Sequence, residues 1–383
     1  MDRSVYLLIL IAAGTLLSAG TVAAVLLSSW LAGERADSGA SCSLPMFGNR
    51  TGAFWACRVQ AALQQNWFPD PIQGLFSYQT WNGMDGFWQN GVAVESTANA
   101  MHYLNTTRYR SVVVGSYRSL EDLLLAYGPE PSYDDMAWYG LAYTRVYEVL
   151  HRAEFLTISQ TIFDWIWRNG WDTNVCSGGI WFDDNQSGKQ TIENVQMVQL
   201  GARLARLLGA VNASGSHDYL EKALLIWHWI EARQLYDNVT HQVFDGISLD
   251  SCTCTDRTTF TYTSGTLLGG LVELFKVTKD VRYLATAHNI SAAVIRNLTT
   301  AGGVLVEPCD RDATCDLDAN IFKGIFMKNL RYLLDADPGA AASQTYRKFV
   351  ATNIAAVKKN AMCEPGNSSC HIVYLGSRRS FAT

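Results

Sequence analysis

Apolar residues recur at three- and four-residue spacing in eleven separate stretches of this 383-residue chain, a pattern that leaves room for little except packed helices. The stretches are Phe54–Trp67, Gly86–Leu104, Ser119–Tyr127, Met136–Leu150, Phe155–Trp167, Val195–Leu208, Tyr219–Leu235, Thr266–Val277, Ala285–Leu298, Phe322–Leu334 and Gln344–Val357. Gly and Pro turns separate them, at Gly128-Pro129, Asn169-Gly170 and Gly302-Gly303. Strand-like alternation is scarce, so the sequence predicts an all-α fold of antiparallel helix pairs stacked around an axis. Six pairs close such a stack into an (α/α)6 barrel, a toroid of helical hairpins. Eleven stretches are one short of twelve, and Arg378–Thr383 follows without another amphipathic run. Either one helix escapes the periodicity or the last one is absent. No sequence repeat accompanies the pattern, which disfavours a solenoid.

Residues 1–33 form a separate unit. From Ser4 to Gly33 there is no charged residue, which is longer than the core of a signal peptide and long enough to span a bilayer. Two readings stand: a transmembrane signal anchor, or a signal peptide cleaved near Ala19 to Ala24 or after the run. Residues 34–48 read as a polar stalk and residues 49–383 as the helical domain. Eight Asn-x-Ser/Thr sequons begin at Asn49, Asn105, Asn185, Asn212, Asn238, Asn289, Asn297 and Asn367, where chance would give about 3. Their excess places the chain in the secretory pathway, membrane-anchored or secreted, with the membrane a partner through the apolar segment.

Nine cysteines suit the same oxidising compartment. Cys309 with Cys315, Cys363 with Cys370, Cys42 with Cys57, and Cys176 with either Cys252 or Cys254 are the expected pairs, and one thiol is left over. A metal is not expected, because Cys252-Thr253-Cys254 lacks the second ligand pair of a zinc site. The loop Asp310–Asp318 carries several carboxylates but lacks the Gly and the closing Glu of an EF-hand. A net charge of −5 with scattered Lys and Arg supplies no field for nucleic acid. Twelve Trp, seventeen Tyr and fifteen Phe suit sugar binding as well as core packing.

The sharpest local feature is Ser132-Tyr133-Asp134-Asp135-Met136-Ala137-Trp138, two carboxylates at the start of an apolar helix. Two acids this close resist simultaneous ionisation, which separates a proton donor from a nucleophile or base. Asp at a helix start also caps free N–H groups, so the pair alone does not decide between the two roles. No Gly-x-Ser-x-Gly elbow, phosphate loop or His-Glu-x-x-His helix competes with it.

Four stretches, taken together, resemble glycoside hydrolase family seventy-six, the endo-α-1,6-mannanases and their fungal cell-wall relatives. They are Tyr133–Trp138 with Leu141-Ala142; Gly178-Gly179-Ile180-Trp181; Phe260-Thr261-Tyr262 with Gly265 and Gly269–Leu274; and Phe322-Lys323-Gly324-Ile325-Phe326. The resemblance implies an (α/α)6 barrel and no cofactor. It also implies a retaining mechanism in which Asp134 is the nucleophile and Asp135 the acid/base, acting on internal α-1,6 bonds of mannan. Trp88, Trp181, Asn194, Tyr262 and Lys323 become the candidate substrate contacts. Where the family usually has an Asn-Gln pair this chain has Thr263 and Ser264, and Tyr139 replaces a family Trp. Two alternatives follow: a transglycosidase that passes the glycan to a cell-wall acceptor, and an inactive mannan-binding or scaffold protein.

Overall fold

The computed structural model describes residues 51–67, 87–129, 132–211, 215–316 and 318–361. The apolar segment, the stalk, Cys42, Cys363, Cys370 and the sequons at Asn49, Asn212 and Asn367 lie outside the described residues. Among the described residues no helix is long and apolar enough to cross a membrane.

All eleven expected helices are present: α1 Thr51–Trp67, α2 Phe87–Leu104, α3 Arg110–Tyr127, α4 Tyr133–Leu150, α5 Ala153–Gly170, α6 Thr191–Ala210, α7 Ser216–Ala232, α8 Thr261–Thr278, α9 Val281–Asn297, then, after the five-residue α10 Pro308–Asp312, α11 Ala319–Ala336 and α12 Ser343–Ala361. Among the described residues β pairing is limited to isolated bridges such as Ser132 with Asp183. The chain divides into two compact units, Met1–Gly83 with Thr97–Pro129, and Met84–Ser96 with Glu130–Thr383. In the first, Gln60 and Gln64 of α1 both donate to Thr97 Oγ1, at 2.9 and 3.5 Å, over a core that includes Met101, Val113 and Leu120.

In the second unit, α6 and α8 are buried around most of their circumference, from Thr191 to Leu208 and from Thr261 to Leu274. Helices α5 and α9 bury one stripe each, as outward-facing members of a hairpin do. Turns between partners are tight. His151 and Lys279 adopt the left-handed conformation that stops a helix, and Asp280 caps α9 by accepting from Arg282 N at 3.0 Å.

Close approach of the inner helices depends on small residues in α8. A Cβ on Gly265 would sit 2.6 Å from Phe326 Cα, and one on Gly269 would collide with Asn329 and Gln199. The inner helices also share a direction. Near their starts Gln196 of α6 reaches Asp134 of α4, and near their ends Arg206 reaches Glu148 at 2.6 Å. Gly265 and Gly269 of α8 meet Phe326 and Asn329 of α11 in the same order. Trp88 of α2 meets Asp318 at the start of α11, and Glu95, farther along α2, meets Lys328.

Well below the helix starts lies a buried ionic network. Arg203 sits between Glu95 and Glu273, at 3.4 and 3.6 Å, and donates to Leu141 O and Thr144 Oγ1. Arg206 joins Glu273 to Glu148, at 2.7 and 2.6 Å. Burial raises the proton affinity of Glu273, but Arg206, Lys276 and Arg203 outweigh it and hold the carboxyl well below the usual range. Arg203, Glu95 and Glu273 are buried while Arg206 and Glu148 are half-buried, and the charges are paired and hydrogen-bonded as burial requires.

Candidate active site

Parallel inner helices gather their N-termini at one end of the second unit, and there the candidate residues collect. The start of α4 is fixed first. Tyr133 N donates to Phe182 O at 2.9 Å, its ring packs 5.1 Å from Trp165, and its hydroxyl donates to Asp184 at 2.6 Å. Asp134 and Asp135 follow in the first turn, about 100° apart around the axis. Both are half-buried. Asp134 Oδ1 is nonetheless sealed from solvent and has no hydrogen-bond partner. Desolvation is the largest influence on this carboxyl. The negative charge of Asp318 adds to it, backbone N–H groups of the first turn oppose it, and the balance lifts the pKa to about 7.

Four further acids share the neighbourhood. Glu193, in the first turn of α6, is fully buried, and burial followed by the charge of Asp134 pushes it well above the ordinary value. Asp245 is raised to about 6 by burial and then by Asp256. Glu307 is raised to about 7 by burial, although it accepts from Thr261 N at 3.1 Å and from the Thr261 hydroxyl. Asp318, ahead of α11, accepts from Trp88 Nε1 at 3.2 Å and Gln89 Nε2 at 2.7 Å. Tyr262 lies in the field of Asp245, Asp134, Glu193 and Glu307, and its hydroxyl holds its proton far above the ordinary range, chiefly through burial.

Of the candidate contacts, the structure brings three to this end. Trp88 is half-buried, bound to Asp318 and 5.7 Å from the Trp138 ring. Tyr262 stacks on Phe322 at 3.8 Å, with Phe260 6.0 Å away, making a half-buried aromatic surface on α8 and α11. Lys323 is on α11, but its Nζ is taken by Asp310 at 2.7 Å.

The other two serve a neighbouring loop. Trp181 is 4% exposed, and Lys189 Nζ lies 4.6 Å from its ring. Asn194 is fully buried: Oδ1 accepts from Ile180 N at 2.9 Å, and Nδ2 donates to Gln190 O and Glu193 Oε1 at 2.8 and 3.1 Å. Its amide clamps the Gly178–Trp181 loop to the start of α6, as a cap would. Gly179, at φ +90°, lets that loop press flat against the Trp229 ring. Lys189 completes the clamp by donating to Asp172, Val175 O and Gly178 O.

Thr263 and Ser264, which stand where amides were expected, both return their hydroxyls to Phe260 O, at 3.3 and 3.0 Å. They stabilise the first turn of α8. Two further carboxylates of the 310–318 loop, Asp310 and Asp316, are engaged likewise. Asp310 receives Glu307 N and Lys323, and Asp316 receives Ala319 N. The Cys309–Cys315 disulfide closes this loop, and Cys176 pairs with Cys252, leaving Cys254 as the free thiol among the described cysteines.

Sequence reasoning passed over Glu193, Asp245, Glu307 and Asp318 as site residues. The signal available for two of them was position, since Glu193 and Asp318 lie beside the first turn of an inner helix as Asp134 does.

The fold of this all-helical unit has known counterparts. A solved inactive variant of the alpha-1,6-mannanase GH76A of Salegentibacter sp. HEL1_6, bound to alpha-1,6-mannotetrose, matches with a TM-score of 0.71 and 19% identity over 85% of this chain and 91% of that one. Dfg5 of Chaetomium thermophilum, in complex with glucosamine, matches at 0.68 and 20% identity over 85% and 82%. Such similarity shows the fold, that of a helical barrel. Among curated proteins, the mannan endo-1,6-alpha-mannosidase DCW1 of Candida glabrata is 28% identical over 214 residues, 51% of this chain and 45% of its own length. A putative mannan endo-1,6-alpha-mannosidase of Schizosaccharomyces pombe is 24% identical over 270 residues, 66% of this chain and 60% of its own. The matches thus span about half the length of these relatives. The profile described as glycosyl hydrolase family 76 matches residues 58–380, most of the chain, and the chain therefore belongs to that family.

Proposed function

We propose that this protein is a retaining glycosidase acting on internal α-1,6-mannosidic bonds, with Asp134 as nucleophile and Asp135 as acid/base. The observation that carries the reading is the Asp134 carboxyl, sealed from water on one oxygen at the acid-rich end of parallel helices. Asp134 attacks the anomeric carbon while Asp135 gives its proton to the departing glycosidic oxygen, leaving a glycosyl ester on Asp134. Water then attacks the ester, and Asp135 takes the water's proton. Positive charge developing on the sugar favours the ionised Asp134, offsetting the burial that otherwise keeps it protonated. Family membership supports the reaction class. So does the relative described as inactive with two adjacent aspartates replaced, which holds alpha-1,6-mannotetrose. The disulfides Cys176–Cys252 and Cys309–Cys315 support a secretory-pathway protein, membrane-anchored or secreted.

A second reading uses the same ester. The aromatic surface of Phe260, Tyr262 and Phe322 lies beside the acids and suits a sugar acceptor whose hydroxyl replaces water. Incubation with linear α-1,6-mannan, followed by NMR of the new anomeric centres, tests both. Retained α-configuration at new reducing ends supports hydrolysis, and elongation of an added acceptor glycan supports transfer. Inverted products would overturn the ester, and intact mannan with intact acceptor would leave a binding protein.

A further inference from the structure

One buried carboxyl near Asp134 has no role in the scheme above. Glu193 lies on the stripe of α6 that runs through Gln196, Leu200 and Arg203 at helical spacing, and that stripe faces α4. Gln196 donates to Asp134 O, Leu200 fills the space beside Gly140, and Arg203 donates to Leu141 O. Continued by one turn, the stripe points Glu193 at the first turn of α4, where Asp134 stands.

The surroundings of Glu193 supply little to an anion. The carboxyl is fully buried. Oε1 accepts from the Asn194 amide at 3.1 Å, and Oε2 has no partner. Among the described residues no cation forms an ion pair with it, and Lys189, whose charge acts on it, spends its ammonium on Asp172, Val175 O and Gly178 O. The titratable groups that act on Glu193 are Asp134 from α4, Asp245 from the loop ahead of α8, Tyr262 from α8 and Lys189 from the clamp. Asp134 in turn faces Asp135, Asp318, Tyr262 and Glu193. An unpaired carboxylate in such a place is strongly disfavoured, whereas a carboxylic acid there is a hydrogen-bond donor.

We propose that Glu193 is a positioning residue of the active site, a carboxylic acid that keeps its proton and turns it toward the Asp134 carboxylate when that group is ionised for attack. This rests on the reading of Asp134 as nucleophile. Neither carboxyl loses or gains a proton to the other: the Glu193 proton stays on Oε2 and stabilises the anion beside it.

Two measurements test it. Infrared difference spectra of protein labelled with ¹³C-carboxyl glutamate should show, at about pH 8.5, where Glu307 (raised to about 7) is ionised, a protonated glutamate band that disappears in Glu193→Gln. In kinetics on α-1,6-mannan, Glu193→Met should lower kcat/KM about a hundredfold and move its acidic limb up by about one pH unit, because the Asp134 anion loses a donor. Glu193→Gln, whose amide still donates, should lose about tenfold with the limb moved less than in Glu193→Met. The absence at that pH of a band that Glu193→Gln removes overturns the proposal, as does a Glu193→Met limb at the wild-type pH. If Glu193→Met does not fold, the spectra of the unsubstituted protein and of Glu193→Gln decide. A protonated band in a protein that leaves mannan intact would sink the glycosidase reading and spare the proton assignment.

Discussion

Gln196 donates through Nε2 to the backbone carbonyl of Asp134 at 3.1 Å, binding the second turn of α6 to the first turn of α4. Asp134 is therefore placed by a neighbouring helix as well as its own. Gln196→Leu removes the donor at nearly constant volume. We expect kcat to fall about tenfold or more with KM little changed, since small misplacements of a reacting group carry large rate penalties. Steady-state kinetics beside a thermal melt check it, and a variant that loses stability with full kcat would contradict it.

Deeper in the same unit, Arg203 serves Glu95 and Glu273 at once and is 1% exposed. Arg203→Met leaves two carboxylates buried with fewer partners, and the expected cost is about 3–5 kcal/mol in urea unfolding. A loss under about 1 kcal/mol would mean that Lys328, Arg206 and Lys276 suffice.

At Gly269 of α8 a methyl would meet the Asn329 amide of α11 and the Gln199 amide of α6, which bond each other at 2.9 Å. Gly269→Ala should cost about 1–3 kcal/mol through overpacking and the broken amide pair. Gly324→Ala, on α11 with open space at its Cβ, is the control and should be neutral or slightly stabilising.

The acids predict how stability depends on pH. Asp134, Glu307 and Asp245 have folded pKa values raised to about 7, about 7 and about 6, so their contribution is full below the unfolded carboxylate value and disappears as pH rises through those values. Glu273, Glu95 and Glu148 are shifted down, against burial, by their Arg and Lys neighbours. They contribute above the unfolded value and are lost in acid. The two groups together place maximal stability between about pH 4 and about pH 6, falling toward about pH 8. Urea midpoints across that range test the sign, and a midpoint that rises steadily toward about pH 8 would contradict it.

Much of the helical frame was legible because inner and outer helices alike keep apolar residues three and four apart. Helix starts were not. Helix α3 begins at Arg110 where periodicity predicted Ser119, and α6 begins at Thr191, four residues ahead of Val195. The first turn of α6 carries the polar Thr191, Glu193 and Asn194, which break the apolar count at the candidate site, whereas the consecutive Val112, Val113 and Val114 break the three- and four-residue spacing at the start of α3. Glu193 and Asp318 were hidden likewise: an acid at a helix start reads as a cap until a second helix is known to begin beside it. Asp134 and Asp135 stood out through their adjacency and the motif around them. Trp181 and Asn194 were legible as members of a motif, but only the fold shows them holding the Gly178–Trp181 loop. Cys309–Cys315 followed from proximity in sequence, whereas the partner of Cys176 required coordinates to choose Cys252 over Cys254.

The central claim is that two neighbouring carboxylates carry out the bond cleavage. Its most direct test compares Asp134→Asn and Asp135→Asn with the unsubstituted protein on linear α-1,6-mannan, each variant first shown to be folded by its melting curve. Both should fall by at least about a thousandfold in kcat, with oligosaccharide binding retained. Rates within about tenfold of the unsubstituted protein in both variants would contradict the account.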